Sequence, residues 1–272
     1  MTLSELTFAR LQQEPATWVT VDAAQGSVPR DAGTWMAVFA GGTVGTIGGG
    51  RLEFDAIRVA RERLAGLQGP ALLRFALGPS LGQCCGGVMH LRFEVVNVGD
   101  LAALRQRIAA NFVPVALFGG GHVGRALIDV LSKLPFAITW IDSRDEIFPD
   151  GVAPHVVCEH SDPVQQAVAG LAPHSRVLIM SFSHAEDLDV VAACLTRQRG
   201  TGDLPFIGLI GSKTKWATFR HRLQERGFSA QELAQVTSPI GLPGVVGKEP
   251  EVIAVAVAAQ LLQRCTHDGS AG

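Results

Sequence analysis

Tyrosine is absent from the 272-residue sequence. Any mechanism that needs a tyrosine acid is thereby excluded, the Tyr–Lys pair of short-chain dehydrogenases among them. Cysteine is sparse: the five residues form an odd set with no zinc-type spacing, which points to free thiols in a reducing compartment. No long apolar run occurs. The longest, Val252–Leu262, is too short to span a bilayer as a helix. The first ten residues contain no apolar core of the kind a secretory signal needs. Nor does one sign of charge dominate. Lys and Arg total 23 against 25 Asp and Glu, a net charge of −2, and the cations are scattered rather than clustered. That distribution argues against a nucleic-acid ligand, which needs a concentrated basic face. The expectation is a cytoplasmic protein with no membrane segment.

Hydrophobic residues make up 47% of the chain and charged residues 18%, so a sizeable core can form and disorder is not expected. The pattern changes near Asn111. Before it, strand-like runs at 17–21, 35–39, 43–47, 72–77 and 89–96 alternate with glycine turns, and Gly41-Gly42 marks a hairpin. An amphipathic helix over 52–67 places Ala56, Val59, Ala60 and Leu64 on one side, and a further helix over 101–110 leads out. After Asn111 the rhythm is strand, turn, helix: strands at 113–118, 137–141, 156–158, 177–181 and 206–210, with helical segments at 122–132, 164–171, 188–197 and 216–226. Such alternation predicts a parallel sheet covered on both faces. A last helix starts at Pro250 and runs to about Gln263. The fold class expected is α/β, with a smaller α+β domain over 1–110 and a Rossmann-like domain over 111–272.

The clearest motif is Gly119-Gly120-Gly121-His122-Val123-Gly124, which follows one strand and opens a helix. That is the context a dinucleotide fingerprint requires: Gly119 for the tight turn, Gly121 for backbone approach to a pyrophosphate, Gly124 for helix packing. Asp142, ending the next strand, stands where a ribose 2′-hydroxyl would be held. Two further strand ends reach the same sheet edge. In one, Ser183 and Glu186 form a capping box, with His184 and Asp187 as site candidates. In the other, Ser212 and Lys213 open a helix and offer an anion site. No P-loop is present, because Gly247-Lys248 is followed by Glu249.

In the first half, Arg30 closes the turn that begins at Gly26. Gly48, Gly49 and Gly50 precede the amphipathic helix, where they would expose amides in a concave nest supplemented by Arg51. The segment Gly82-Gln83-Cys84-Cys85-Gly86-Gly87 sets two adjacent thiols among glycines, an environment for a persulfide or a soft metal centre.

In this order, Gly26–Arg30, Gly45–Gly50 with Leu52-Glu53, Gly82–Gly87, Gly119–Gly124, Ser183-His184 with Asp187, Ile207–Lys213 and Ser238–Leu242 resemble the XdhC/CoxI family. The resemblance covers essentially the whole chain, and Gln83–Gly87 is closer to the XdhC branch. It departs at Arg51, where many relatives carry Cys. The resemblance implies a molybdenum cofactor chaperone, not an enzyme. Such a protein binds the cofactor in its molybdopterin form, protects it, supports its sulfuration by a cysteine desulfurase and delivers it to the molybdenum-binding subunit of apo xanthine dehydrogenase. A homodimer is expected. Cys84 and Cys85 would meet molybdenum or its sulfido ligand, and phosphate would lie at the Gly121 or Gly49 amides. Alternatives are an NAD(P)-dependent oxidoreductase using Asp142, a sulfurtransferase carrying sulfur on Cys84 or Cys85, and a sensor holding a nucleotide in the Rossmann cleft.

Overall fold

The structure is a computed structural model and describes residues 2–78 and 86–268, with the side chains of 266–268 left aside. It divides into two compact units, Met1–Asn111 and Phe112–Gly272.

The first unit runs α1 (Leu3–Leu11), β1 (Ala16–Gln25), β2 (Trp35–Phe39), β3 (Gly42–Gly45), α2 (Gly50–Leu64), β4 (Leu72–Ala76), β5 (Val88–Val96) and α3 (Leu101–Ala109). Its five strands form an antiparallel sheet in the order β3-β2-β1-β5-β4. Alternation on β1 and β2 sends Val19, Val21, Met36 and Val38 to one face. There they meet Leu52, Ala56 and Ala60 of α2, spaced four apart on one helix stripe. The Thr17 hydroxyl donates to the Ala60 carbonyl at 2.8 Å, which satisfies a buried polar group at this contact. Residues 46 and 47, expected to continue β3, turn instead toward α2, and Ile47 is fully buried.

The second unit comprises β6 (Val113–Phe118), α4 (His122–Leu131), β7 (Phe136–Asp142), β8 (Val156–His160), a 3-10 turn (Val164–Gly170), β9 (Arg176–Ile179), α5 (His184–Thr201), β10 (Phe206–Leu209), α6 (Lys213–Glu225), α7 (Ala230–Leu233), β11 (Val236–Thr237) and α8 (Pro250–Asp268). The six strands are all parallel, in the order β11-β10-β9-β6-β7-β8. Successive residues of β6 serve opposite faces. Val115 and Leu117 pack with Leu127, Leu131 and the α8 residues Ala254, Val257 and Leu261. Ala116 and Phe118 pack with Val190, Val191 and Leu195 of α5. Both faces are therefore covered, as parallel strands require.

The chain leaves β6 toward β7 and β8, then returns to β9 on the other side of β6. The reversal places a topological switch point at the carboxyl ends of β6 and β9, the place where open α/β sheets receive ligands. The helices α4, α5 and α6 each begin just after a strand ends on this edge. Among the described residues, no helix is long and apolar enough to cross a membrane.

Candidate functional site

Gly119 leaves β6 at φ +119°, and a Cβ there would lie 1.9 Å from the Met180 carbonyl oxygen. Only glycine allows β6 and β9 to approach this closely at their ends. A Cβ on Gly124 would sit 2.1 Å from the Gly119 carbonyl oxygen, so this glycine lets the first turn of α4 settle on the loop. Gly121 differs. It is the N-cap of α4, is exposed, and has open space where its Cβ would be. Its backbone is the part of the turn that a ligand can reach.

Asp142, expected where a ribose would be held, is engaged within the fold. The side chain is 1% exposed, and both oxygens are already occupied. Oδ2 accepts from the Gly120 amide at 2.6 Å and from Arg144 Nη2 at 2.9 Å. Oδ1 accepts from the Arg144 amide and from Arg144 Nε, both at 2.9 Å. Burial alone would raise this acid, but the Arg144 guanidinium and the two amides outweigh burial and hold it below the usual carboxylate value. The charge needed to clamp the glycine turn leaves no lone pair directed at a ribose.

Asp187 is likewise internal. At 2% exposure it accepts from the Ser181 amide at 2.7 Å and pairs with Lys215 Nζ at 2.5 Å, while Lys215 also donates to the Ile210 carbonyl at 2.9 Å. It fastens the starts of α5 and α6 to the ends of β9 and β10. The capping box is present only in half. The Ser183 hydroxyl accepts from the Glu186 amide at 3.2 Å. The Glu186 carboxylate, however, takes the Phe182 amide at 3.0 Å and the Ser143 hydroxyl at 2.8 Å. His122 and His184 are exposed first residues of α4 and α5, and Ser212 caps α6 with Lys213 exposed beside it.

The sequence reading passed over two residues here. The Phe182 ring is 66% exposed at the end of β9. The Arg144 guanidinium lies 4.3 Å from its centroid. An arginine two residues after a strand-end aspartate was the available signal.

In the first unit, glycines bring separate segments together. A Cβ on Gly48 would be 2.5 Å from Pro29 Cγ and 3.7 Å from Arg30 Cγ, so the 46–50 turn lies against Pro29 and Arg30. A Cβ on Gly87 would be 2.5 Å from both the Gln25 and Ser27 carbonyl oxygens, which seats this glycine against the 25–27 turn. Gln83, Cys84 and Cys85 lie outside the described residues. In the nest expected at Gly48–Gly50, the Gly48 amide donates to the Thr46 hydroxyl at 3.1 Å and the Gly49 amide to Glu53. Glu53 Oε2 accepts from the Ile47 amide at 3.0 Å, the Gly49 amide at 3.1 Å and the Thr46 hydroxyl at 2.5 Å. Arg51 does not supplement it; it pairs with Asp55 at 3.1 Å along the exposed side of α2. A carboxylate one helical turn downstream is the nearest anion to these amides and takes them first.

Three of the five cysteines, Cys158, Cys194 and Cys265, lie among the described residues. Cys194 is in the core, where burial pushes its thiol up to about 12 and makes it inert. Among the described residues, no cluster of three His, Cys, Asp or Glu side chains could hold a metal ion.

Two family models match the sequence: the XdhC Rossmann domain over residues 115–261, and the XdhC and CoxI family over residues 9–76. The uncharacterized protein YqeB of Escherichia coli (strain K12) is 26% identical over 264 residues. That match covers 94% of this chain, which spans 45% of the length of YqeB. A crystal structure of a xanthine dehydrogenase from Bacillus halodurans superposes with a TM-score of 0.75 at 20% identity, covering 98% of this chain and 96% of the other. At that identity the likeness establishes the fold.

Proposed function

Because the chain belongs to the XdhC and CoxI family, we propose that it is a chaperone of the molybdenum cofactor rather than a catalyst. In this reading it receives the molybdopterin form of the cofactor as cargo and shields it from oxidation. A cysteine desulfurase supplies the terminal sulfido ligand meanwhile, and the finished cofactor passes to apo xanthine dehydrogenase. The protein acts in the cytoplasm, as a homodimer, and Cys84 and Cys85 face the metal end of the cargo.

The observation that carries the reading is the turn at Gly121, whose accessible backbone opens at the switch point of the sheet. A cofactor phosphate fits such a turn at a helix start. Retention at micromolar level needs about 8 kcal/mol, whereas one helix terminus contributes about 0.3–1 kcal/mol to an anion. Contacts to the pterin and to the dithiolene end therefore have to provide most of the affinity. The dinucleotide alternative shares the glycine turn but is less favoured, since the acid that would bind ribose accepts from Arg144 and Gly120.

The test is purification of the full chain from a cofactor-producing host, followed by oxidation, pterin fluorescence and a molybdenum assay. Pterin and molybdenum in near-equal amounts are expected. Bound nicotinamide dinucleotide without pterin would overturn the reading.

A further inference from the structure

A large apolar ring in solvent is ordinary when isolated, but Phe182 is not isolated. It stands just beyond β9 and beside the glycine turn, since the Met180 carbonyl, two residues before it, occupies the space a Gly119 side chain would need. Its backbone amide is fixed by Glu186, at 3.0 Å. Its ring is covered on one face by the Arg144 guanidinium, at 4.3 Å from the centroid. That guanidinium is held in turn by two bonds to Asp142, which also takes the Gly120 amide. A continuous chain of contacts thus runs from the glycine turn through Asp142 and Arg144 to Phe182. The arrangement keeps a mostly exposed ring, 66% of its surface open, in a defined orientation. The buried hydroxyl of Ser181, next in sequence to the ring, has no hydrogen-bond partner among the described residues.

We propose that Phe182 is a stacking shelf: a flat nitrogen heterocycle bearing a phosphate lies on the ring face opposite Arg144, with its phosphate toward the Gly121 backbone. Aromatic stacking tolerates any flat heterocycle, since it needs a π face and no particular pattern of donors. The Arg144–Asp142 pair is close to neutral as a unit. It therefore orients the ring without demanding a charged ligand at the shelf itself. Two sources share this chemistry, the pterin of the cofactor and the adenine of a nucleotide. Only the pterin arm rests on the function proposed above.

Isothermal titration of the full chain with AMP, with molybdopterin released from a cofactor-loaded hydroxylase, and with inorganic phosphate separates these cases. At least one ring-bearing probe is expected to bind. Phe182→Ala should weaken its binding about tenfold, Phe182→Trp should restore it, and any phosphate binding should stay unchanged. The exposed position leaves the melting curve of Phe182→Ala as a control for folding. Equal affinities of wild type and Phe182→Ala for AMP and for molybdopterin would overturn the shelf, as would failure of both probes to bind the wild type. Molybdopterin bound equally by both proteins would leave the chaperone reading standing without the shelf. Phe182-dependent binding of AMP alone would keep the shelf and remove the chaperone reading.

Discussion

Asp142 shows how one buried charge organises a loop. Its two oxygens accept from Gly120 and three times from Arg144, so the carboxylate is useful to the fold only while ionised. Its pKa in the folded state is depressed below 3.8. The unfolded chain therefore takes up the proton first as acid is added. The stabilisation is complete at neutral pH and is lost as the pH falls below 3.8 and through the folded-state value. The Arg197 guanidinium depresses Asp203 in the same direction, and Arg199 brings Glu232 down to about 2. All three acids make the acid limb of the stability curve steeper. Asp142→Asn should lower stability at pH 7 by about 1–3 kcal/mol, through lost charge-assisted bonds. It should also flatten the loss of stability below about pH 4. Urea titrations at pH 3 to 7 measure both effects, and a parallel shift at every pH would contradict the assignment.

In the second unit a buried ion pair fastens α5 to α6. Asp187, in the first turn of α5, holds Lys215 of α6, with 3% and 11% of the two side chains exposed. Breaking one partner of such a pair leaves a charge without compensation. Asp187→Asn should cost about 3–5 kcal/mol. Amide exchange should rise first at the starts of α5 and α6, and a uniform rise across the sheet would contradict the local role.

Much of this layer was legible before folding. The strand–Gly119–α4 unit follows from glycine positions and a buried-type run, and its strand begins and ends at 113 and 118 as read. The first helix was missed although Thr2 and Glu5 close a capping box, because its apolar stripe is short. Two-residue β11 exists only through pairing with β10, a partner nearly thirty residues away in sequence. The occupied nest at Gly49 shows the other limit. Glycine spacing reveals which amides become available, and the fold decides that Glu53 takes them.

For the molecule as a whole, two differently built units carry different chemical resources. The antiparallel unit seats Gly87 against residues 25–27, close in sequence to the adjacent Cys84 and Cys85. The parallel unit offers an open glycine backbone at its switch point. Family membership gives these resources a common purpose in the chaperone reading. The wild type should then activate apo xanthine dehydrogenase when supplied with molybdenum cofactor and a cysteine desulfurase, and a Cys84→Ala/Cys85→Ala protein should still carry pterin but activate poorly. Activity of the reconstituted dehydrogenase is the measurement that decides. Activation by the wild type that falls about tenfold or more without the two thiols, a loss of about 1.4 kcal/mol or more, is the result predicted. Equal activation by both proteins, or none above a control without chaperone, would contradict the account.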